Sequence, residues 1–101
     1  MATHKWHLVA TNTARENLDE LSSRDLMGVF RSLKLLLEAD NPAAVQGVKK
    51  LVEARFEGQW RQRSGDWRIF FTIEHGEVIH EKHIYKGVLT LLAVRRRDEA
   101  Y

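Results

Sequence analysis

The stretch Gly58–Phe71 reads GQWRQRSGDWRIFF, and it decides the fold because the hydrophobic period here becomes two. Trp67, Ile69 and Phe71 alternate with Arg68 and Phe70, and the pattern runs on through Thr72 to Ile73. That alternation marks a strand with one strongly apolar face. Ser64-Gly65-Asp66 is a turn, so the residues before it return as the other arm of a hairpin. Side chains two apart on a strand share a face, so Arg61 and Arg63 point together, away from Trp60 and Gln62. With Trp67, Ile69 and Phe71 turned toward helices, Arg68 joins them on the open side of the sheet. Guanidiniums this close repel. They need either an acidic partner, for which Glu57, Glu74 and Glu81 are candidates, or an anionic ligand.

Upstream, the period is helical. Residues 6–10 (WHLVA) are a short apolar run and a first strand. Thr13 opens a Thr-x-x-Glu capping box with Glu16 at the third helical position, and this helix continues through Leu18 and Leu21. Ser22 or Ser23 caps a second helix, in which Leu26, Val29, Phe30, Leu33, Leu36 and Leu37 form one apolar stripe. Asn41-Pro42 ends it. Residues 45–57 read as a short helical turn or a loop.

Downstream of Ile73, His75-Gly76-Glu77 is expected as a turn, residues 78–85 as a strand, Lys86-Gly87 as another turn and residues 88–95 as the last strand. The layout is α+β: an N-terminal strand and a helical hairpin packed on one face of a small, mainly antiparallel twisted sheet.

Composition narrows the chemistry. The chain has 101 residues, enough for one domain with a single core. No apolar run approaches the roughly 18 residues that span a bilayer, and the first residues lack the apolar core of a signal peptide, so a cytoplasmic location is expected. The absence of cysteine excludes disulfides and thiolate chemistry. Formal net charge is +2, yet the isoelectric point is about 9.2. Seven Lys and Arg face six Asp and Glu in residues 1–50, and nine face eight in residues 51–101. The halves therefore differ in clustering rather than in charge. A local anion site suits this pattern better than a general nucleic-acid coating.

The last segment, AVRRRDEAY, adds Arg95, Arg96 and Arg97 at the end of a neighbouring strand. Three elements in order then resemble the RelE/ParE toxin superfamily: Trp60-Arg61-Gln62-Arg63, Gly65-Asp66-Trp67-Arg68-Ile69-Phe70-Phe71, and Val94-Arg95-Arg96-Arg97 ending at Tyr101. The helical hairpin and the Lys50-Leu51 step also fit, so the resemblance covers nearly the whole chain. It implies the toxin of a type II toxin–antitoxin system, held inactive by a cognate antitoxin protein in a possible hetero-oligomer.

In the RelE branch it further implies an endoribonuclease that cleaves mRNA in the ribosomal A site. There the ribose 2′-OH attacks the adjacent phosphodiester without metal or other cofactor. On that resemblance Arg61, Arg63, Arg68, Arg95, Arg97 and Tyr101 are the catalytic candidates; Trp60 and Tyr85 are candidates to stack a base, as single-stranded RNA is commonly read, with Arg96 and Lys86 the other RNA-binding ones. Some relatives carry histidine where Arg96 sits, and others carry lysines where Arg61 and Arg63 sit. Two alternatives stay open: a ParE-like inhibitor of DNA gyrase with the same fold, and a basic binding module without activity.

The remaining candidates have plainer readings. His80 and His83 in HEKH lack the helical spacing of a zinc-binding H-E-x-x-H pair. They read as surface histidines, with proton donation the functional alternative. Ser22, Ser23 and Ser64 have no Ser-His-Asp context and read as caps and a turn.

Overall fold

The computed structural model describes residues 4–99. Strand β1 (His7–Ala10) leads into helices α1 (Asn12–Asp19) and α2 (Ser23–Glu38), followed by strands β2 (Val48–Lys50), β3 (Gln59–Ser64), β4 (Trp67–His80) and β5 (His83–Arg96). The strands form one sheet in the order β1-β5-β4-β3-β2. β1 runs parallel to β5, and every other pairing is antiparallel. The expected α+β architecture is therefore what the chain adopts.

Both helices begin at hydroxyl caps. Thr11, not Thr13, caps α1: its Oγ1 accepts the Ala14 N–H at 3.1 Å, so the helix starts two residues earlier than the Thr-x-x-Glu pattern suggests. Ser22 caps α2 by accepting the Asp25 N–H at 3.1 Å. The stripe on α2 buries Val29, Leu33, Leu36 and Leu37 against Ile69, Phe71, Leu89, Leu91 and Val94 of the sheet. Phe30 belongs to the sequence stripe but stays 51% exposed. Trp6 closes one end of the core, its indole N–H donating to the Ala39 carbonyl at 2.9 Å.

The expected turns at His75-Gly76-Glu77 and Lys86-Gly87 are absent. β4 and β5 are instead one long hairpin, whose strand pairing shifts register between His75 and Val78 and closes at His80 opposite His83. Gly76, at φ +134°, sits inside that irregularity rather than in a turn. The two-residue turn is Glu81-Lys82, both left-handed at φ +48° and +67°, the backbone that matches strand twist in tight hairpins.

A second irregularity, between Phe70 and Phe71, leaves Leu92 of β5 outside the pairing. Thr11 Oγ1 donates to the Leu92 carbonyl at 2.9 Å, and Asn17 Oδ1 accepts the Val94 N–H at 3.1 Å. From its cap and its last turn, α1 thus satisfies backbone groups of β5 that lie beyond the end of its pairing with β1. It fixes where β5 resumes, and hence where Arg95 emerges.

The helix-facing side of β3 carries a buried polar residue. Gln62 lies opposite Val48 and Ile69, is 2% exposed, and its Oε1 has no hydrogen-bond partner among the described residues. An orphaned buried carbonyl costs about 1–3 kcal/mol. Gln62→Met keeps the volume and removes the polar atom. Chemical denaturation is expected to show a gain of about 1 kcal/mol in stability. A loss would mean that this amide holds a partner.

Candidate functional site

Strand register builds the site. Arg63 of β3 pairs with Arg68 of β4, and Arg68 pairs with Arg95 of β5. Directly opposite residues share a face with Cβ atoms about 5 Å apart, so three arginines stand in one row across three strands. The next row holds Lys49, Arg61, Phe70 and Ala93. Trp60 and Gln62 alternate to the other face, as the sequence spacing requires.

Two arginines of this face are held rather than loose. Arg61 is 6% and Arg68 7% exposed. Arg68 Nη1 donates to the carbonyls of Gly65 and Trp67, each at 2.9 Å, bracing its own turn. Arg61 Nε is buried without a hydrogen-bond partner among the described residues. Arg63 and Arg95 are exposed and make no ion pair among the described residues. Glu57 and Glu74 pair with no arginine there, and Glu81 meets His80 instead, at 3.8 Å. None of the three glutamates therefore partners Arg63 or Arg95 among the described residues.

Other candidates do not join the row. Trp60 packs against the helix-side core, beneath Lys50 Nζ at 6.0 Å, so it cannot stack a base on the arginine face. Arg96 turns the same way: its guanidinium lies 5.6 Å from the Trp67 ring centre, and its Nε is 3.9 Å from Asp98. Arg97 follows the strand, and its N–H donates to the Asp66 carbonyl at 2.8 Å, placing it beside the β3–β4 turn.

Tyr85 and Lys86 are ten and nine positions before Arg95, about 30 Å along the strand. Tyr85 rests among the rings of His7 and His83. Lys86 reaches Asp40, whose carboxyl is held below its ordinary range by the Lys5 hydrogen bond and charge, and by Lys86. His80 and His83 close the far end of the same hairpin, out of reach of the row. Tyr101 lies outside the described residues.

Sequence reasoning missed Lys49, because the three-residue β2 gave no strand signal. It also missed Arg24 and Arg31 of α2. These line a cleft of about 790 Å³ between the helix and the β3–β4 turn, which Arg63 also lines. A separate apolar groove of about 320 Å³ lies under edge strand β1, lined by Leu8, Leu18, Phe30, Leu33 and Leu37 among others.

A row of like charges stores repulsion. Arg63→Gln or Arg95→Gln is expected to raise stability by about 0.5 kcal/mol. Added salt should stabilise the native protein more than either variant. Thermal melts at two ionic strengths check this, and a drop in stability at low salt would show that the arginines hold the fold.

The fold and its basic row define a class: a small α+β domain presenting an arginine ladder on the sheet face turned from its helices. No protein-family model and no curated protein matches the sequence. Solved structures do match the fold. One is a chain of a RelBE toxin–antitoxin complex from Mycobacterium tuberculosis, with TM-score 0.61 and 21% identity over 92% of this chain and 99% of that one. Another, from the archaeal RelE–RelB complex of Pyrococcus horikoshii, has TM-score 0.63 and 19% identity over 95% and 99%. A third, from the RelB–RelE complex of Methanococcus jannaschii, has TM-score 0.60 and 13% identity over 92% and 94%. The chain therefore has the RelE-like fold.

Proposed function

We propose that the protein is the toxin of a type II toxin–antitoxin system, a RelE-like endoribonuclease that cuts mRNA in the ribosomal A site. The carrying observation is the Arg63–Arg68–Arg95 row. Placing like charges in register costs folding energy, and a phosphodiester is the ligand that repays that cost.

In the proposed reaction the 2′-oxygen gives its proton to a base and attacks the adjacent phosphorus in line, and the P–O5′ bond breaks as the leaving 5′-oxygen takes a proton from water. The products are a 2′,3′-cyclic phosphate and a 5′-hydroxyl. Charge building on the phosphoryl oxygens meets guanidiniums already in place, each worth roughly 2.7–4 kcal/mol by comparison with oxyanion-hole donors. Arginine, with a pKa above about 12, does not shuttle the protons. The resemblance offers Tyr101 for the role of base, a phenol being ordinarily near pKa 10.

A cognate antitoxin would neutralise the protein, its segment wrapping the helical hairpin or covering the basic face and folding as it binds. The apolar groove under β1 and the exposed Phe30 support the hairpin as one seat for it. No helix of the described residues is long and apolar enough to cross a membrane, which is compatible with a cytoplasmic target. The reading is tested by incubating the protein with purified programmed ribosomes and mapping cuts in the message. Intact message beside poisoned gyrase would favour the ParE-like alternative.

A further inference from the structure

Arg24 and Arg31 are seven residues apart on α2, two turns along one face of the helix. Neither has a carboxylate three or four positions away within α2, so helical ion pairing does not explain them. Together with Arg63 they line the cleft between α2 and the β3–β4 turn, and none of the three makes an ion pair among the described residues. Two carboxylates share the cleft, Asp25 and Asp66. Asp25 sits in the first turn of α2, where the helix dipole favours a negative charge. The guanidiniums still outnumber the carboxylates.

The floor of the cleft is also unusual. Gly28 lies mid-helix, where glycine is disfavoured, and among the described residues nothing beyond its own helix backbone stands within 4 Å of where its Cβ would be. Close packing therefore does not require glycine there. Its carbonyl accepts from Ser64 Oγ at 3.3 Å, and Ser32 Oγ donates to Ser64 Oγ at 2.8 Å. These bonds lock the turn to the helix and leave a polar trough above them.

We propose that this cleft is a second phosphate-binding subsite, taking the RNA strand as it leaves the arginine row. Arg63 belongs to both: it pairs with Arg68 on the sheet and lines the cleft. A strand held at Arg68 and Arg95 passes Arg63 and enters the trough between Arg24 and Arg31. The assignment deepens the RNA-cleaving reading and rests on it for the identity of the ligand.

The test is titration of the full chain with a 2′-O-methyl RNA 12-mer, which binds but cannot be cut, across a series of salt concentrations. Each phosphate contact on a single strand contributes about 0.7 to the slope of log affinity against log salt. Arg24→Gln/Arg31→Gln is expected to flatten the slope by about 1.4 and weaken binding about tenfold or more. Arg15→Gln/Lys82→Gln removes the same charge elsewhere and should do much less. Gly28→Gln fills the floor without changing charge; it should raise Tm yet weaken binding.

A native slope in the Arg24/Arg31 variant, or an equal loss in the charge-matched control, overturns the subsite. On programmed ribosomes the Arg24/Arg31 variant should raise the half-saturating concentration more than it lowers the maximal rate. If native protein leaves ribosomal message intact, the cleavage reading fails by itself, and the 12-mer titration still decides the cleft.

Discussion

Arg95→Ala is expected to slow cleavage of ribosome-bound message by about two to three orders of magnitude while the protein stays folded. The size follows from removing one preorganised donor from a developing oxyanion. Arg95 is the cleanest position in the row for this test. It is exposed, stands at the end of β5, and makes no ion pair among the described residues, so its loss relieves repulsion rather than opening the structure. Arg68 is less clean. Its side chain is buried and hydrogen-bonded to the Gly65 and Trp67 carbonyls, so Arg68→Ala should cost stability as well as activity. Arg68→Lys separates the two effects, since it keeps a charge but loses the planar fork. Single-turnover rates paired with thermal melts make the measurement. Wild-type cleavage by a folded Arg95→Ala protein would remove this arginine from the chemistry.

The largest expected structural effect comes from Gly87→Ala. Gly87 lies within β5 opposite His75, where a Cβ would overlap the Glu74 carbonyl oxygen and stand 2.7 Å from Trp6 Cζ3. The indole could shift, but the carbonyl belongs to the neighbouring strand and cannot move without breaking the ladder. A loss of about 3 kcal/mol or more is expected, lowering Tm by roughly 12 °C or more for a domain of this size. Adding Trp6→Leu should not rescue the variant, because the backbone overlap remains. Rescue would place the conflict at the indole alone.

Gly87 also shows where the sequence misled. Beside Lys86 it resembles a turn, yet it is a glycine demanded by close approach of strand and indole, a reason that only the tertiary structure supplies. Gly76 likewise suggested a turn and instead marks a bulge. The true turn, Glu81-Lys82, carries neither glycine nor asparagine and so left no signal. The α2 stripe was legible because burial repeats with the helical period, and the Trp67–Ile73 face because it repeats every two residues. Phe30 departs from its stripe: it lines the open groove beside β1 and stays half exposed.

The arginine row was legible in part. Alternation placed Arg61, Arg63 and Arg68 on one face, but only the β4–β5 register, set by the bulge at Leu92, puts Arg95 beside Arg68 and turns Arg96 away. Tyr85 and Lys86 were misplaced with the false turn: one long hairpin carries them to the opposite end of the sheet. Arg24 and Arg31 carry no signal of their own in the helical pattern. Their meeting with Arg63 depends on how α2 docks on the β3–β4 turn, through Ser32 and Ser64.

The most direct measurement is the end chemistry of message recovered from purified programmed ribosomes. Native protein should leave a 2′,3′-cyclic phosphate upstream of the A-site cut and a 5′-hydroxyl downstream. A 2′-deoxy substitution at the cut nucleotide should abolish the cut, and Arg95→Ala should reduce it by about two to three orders of magnitude. Uncut message with native protein, or cleavage that survives the 2′-deoxy substitution, would contradict the account.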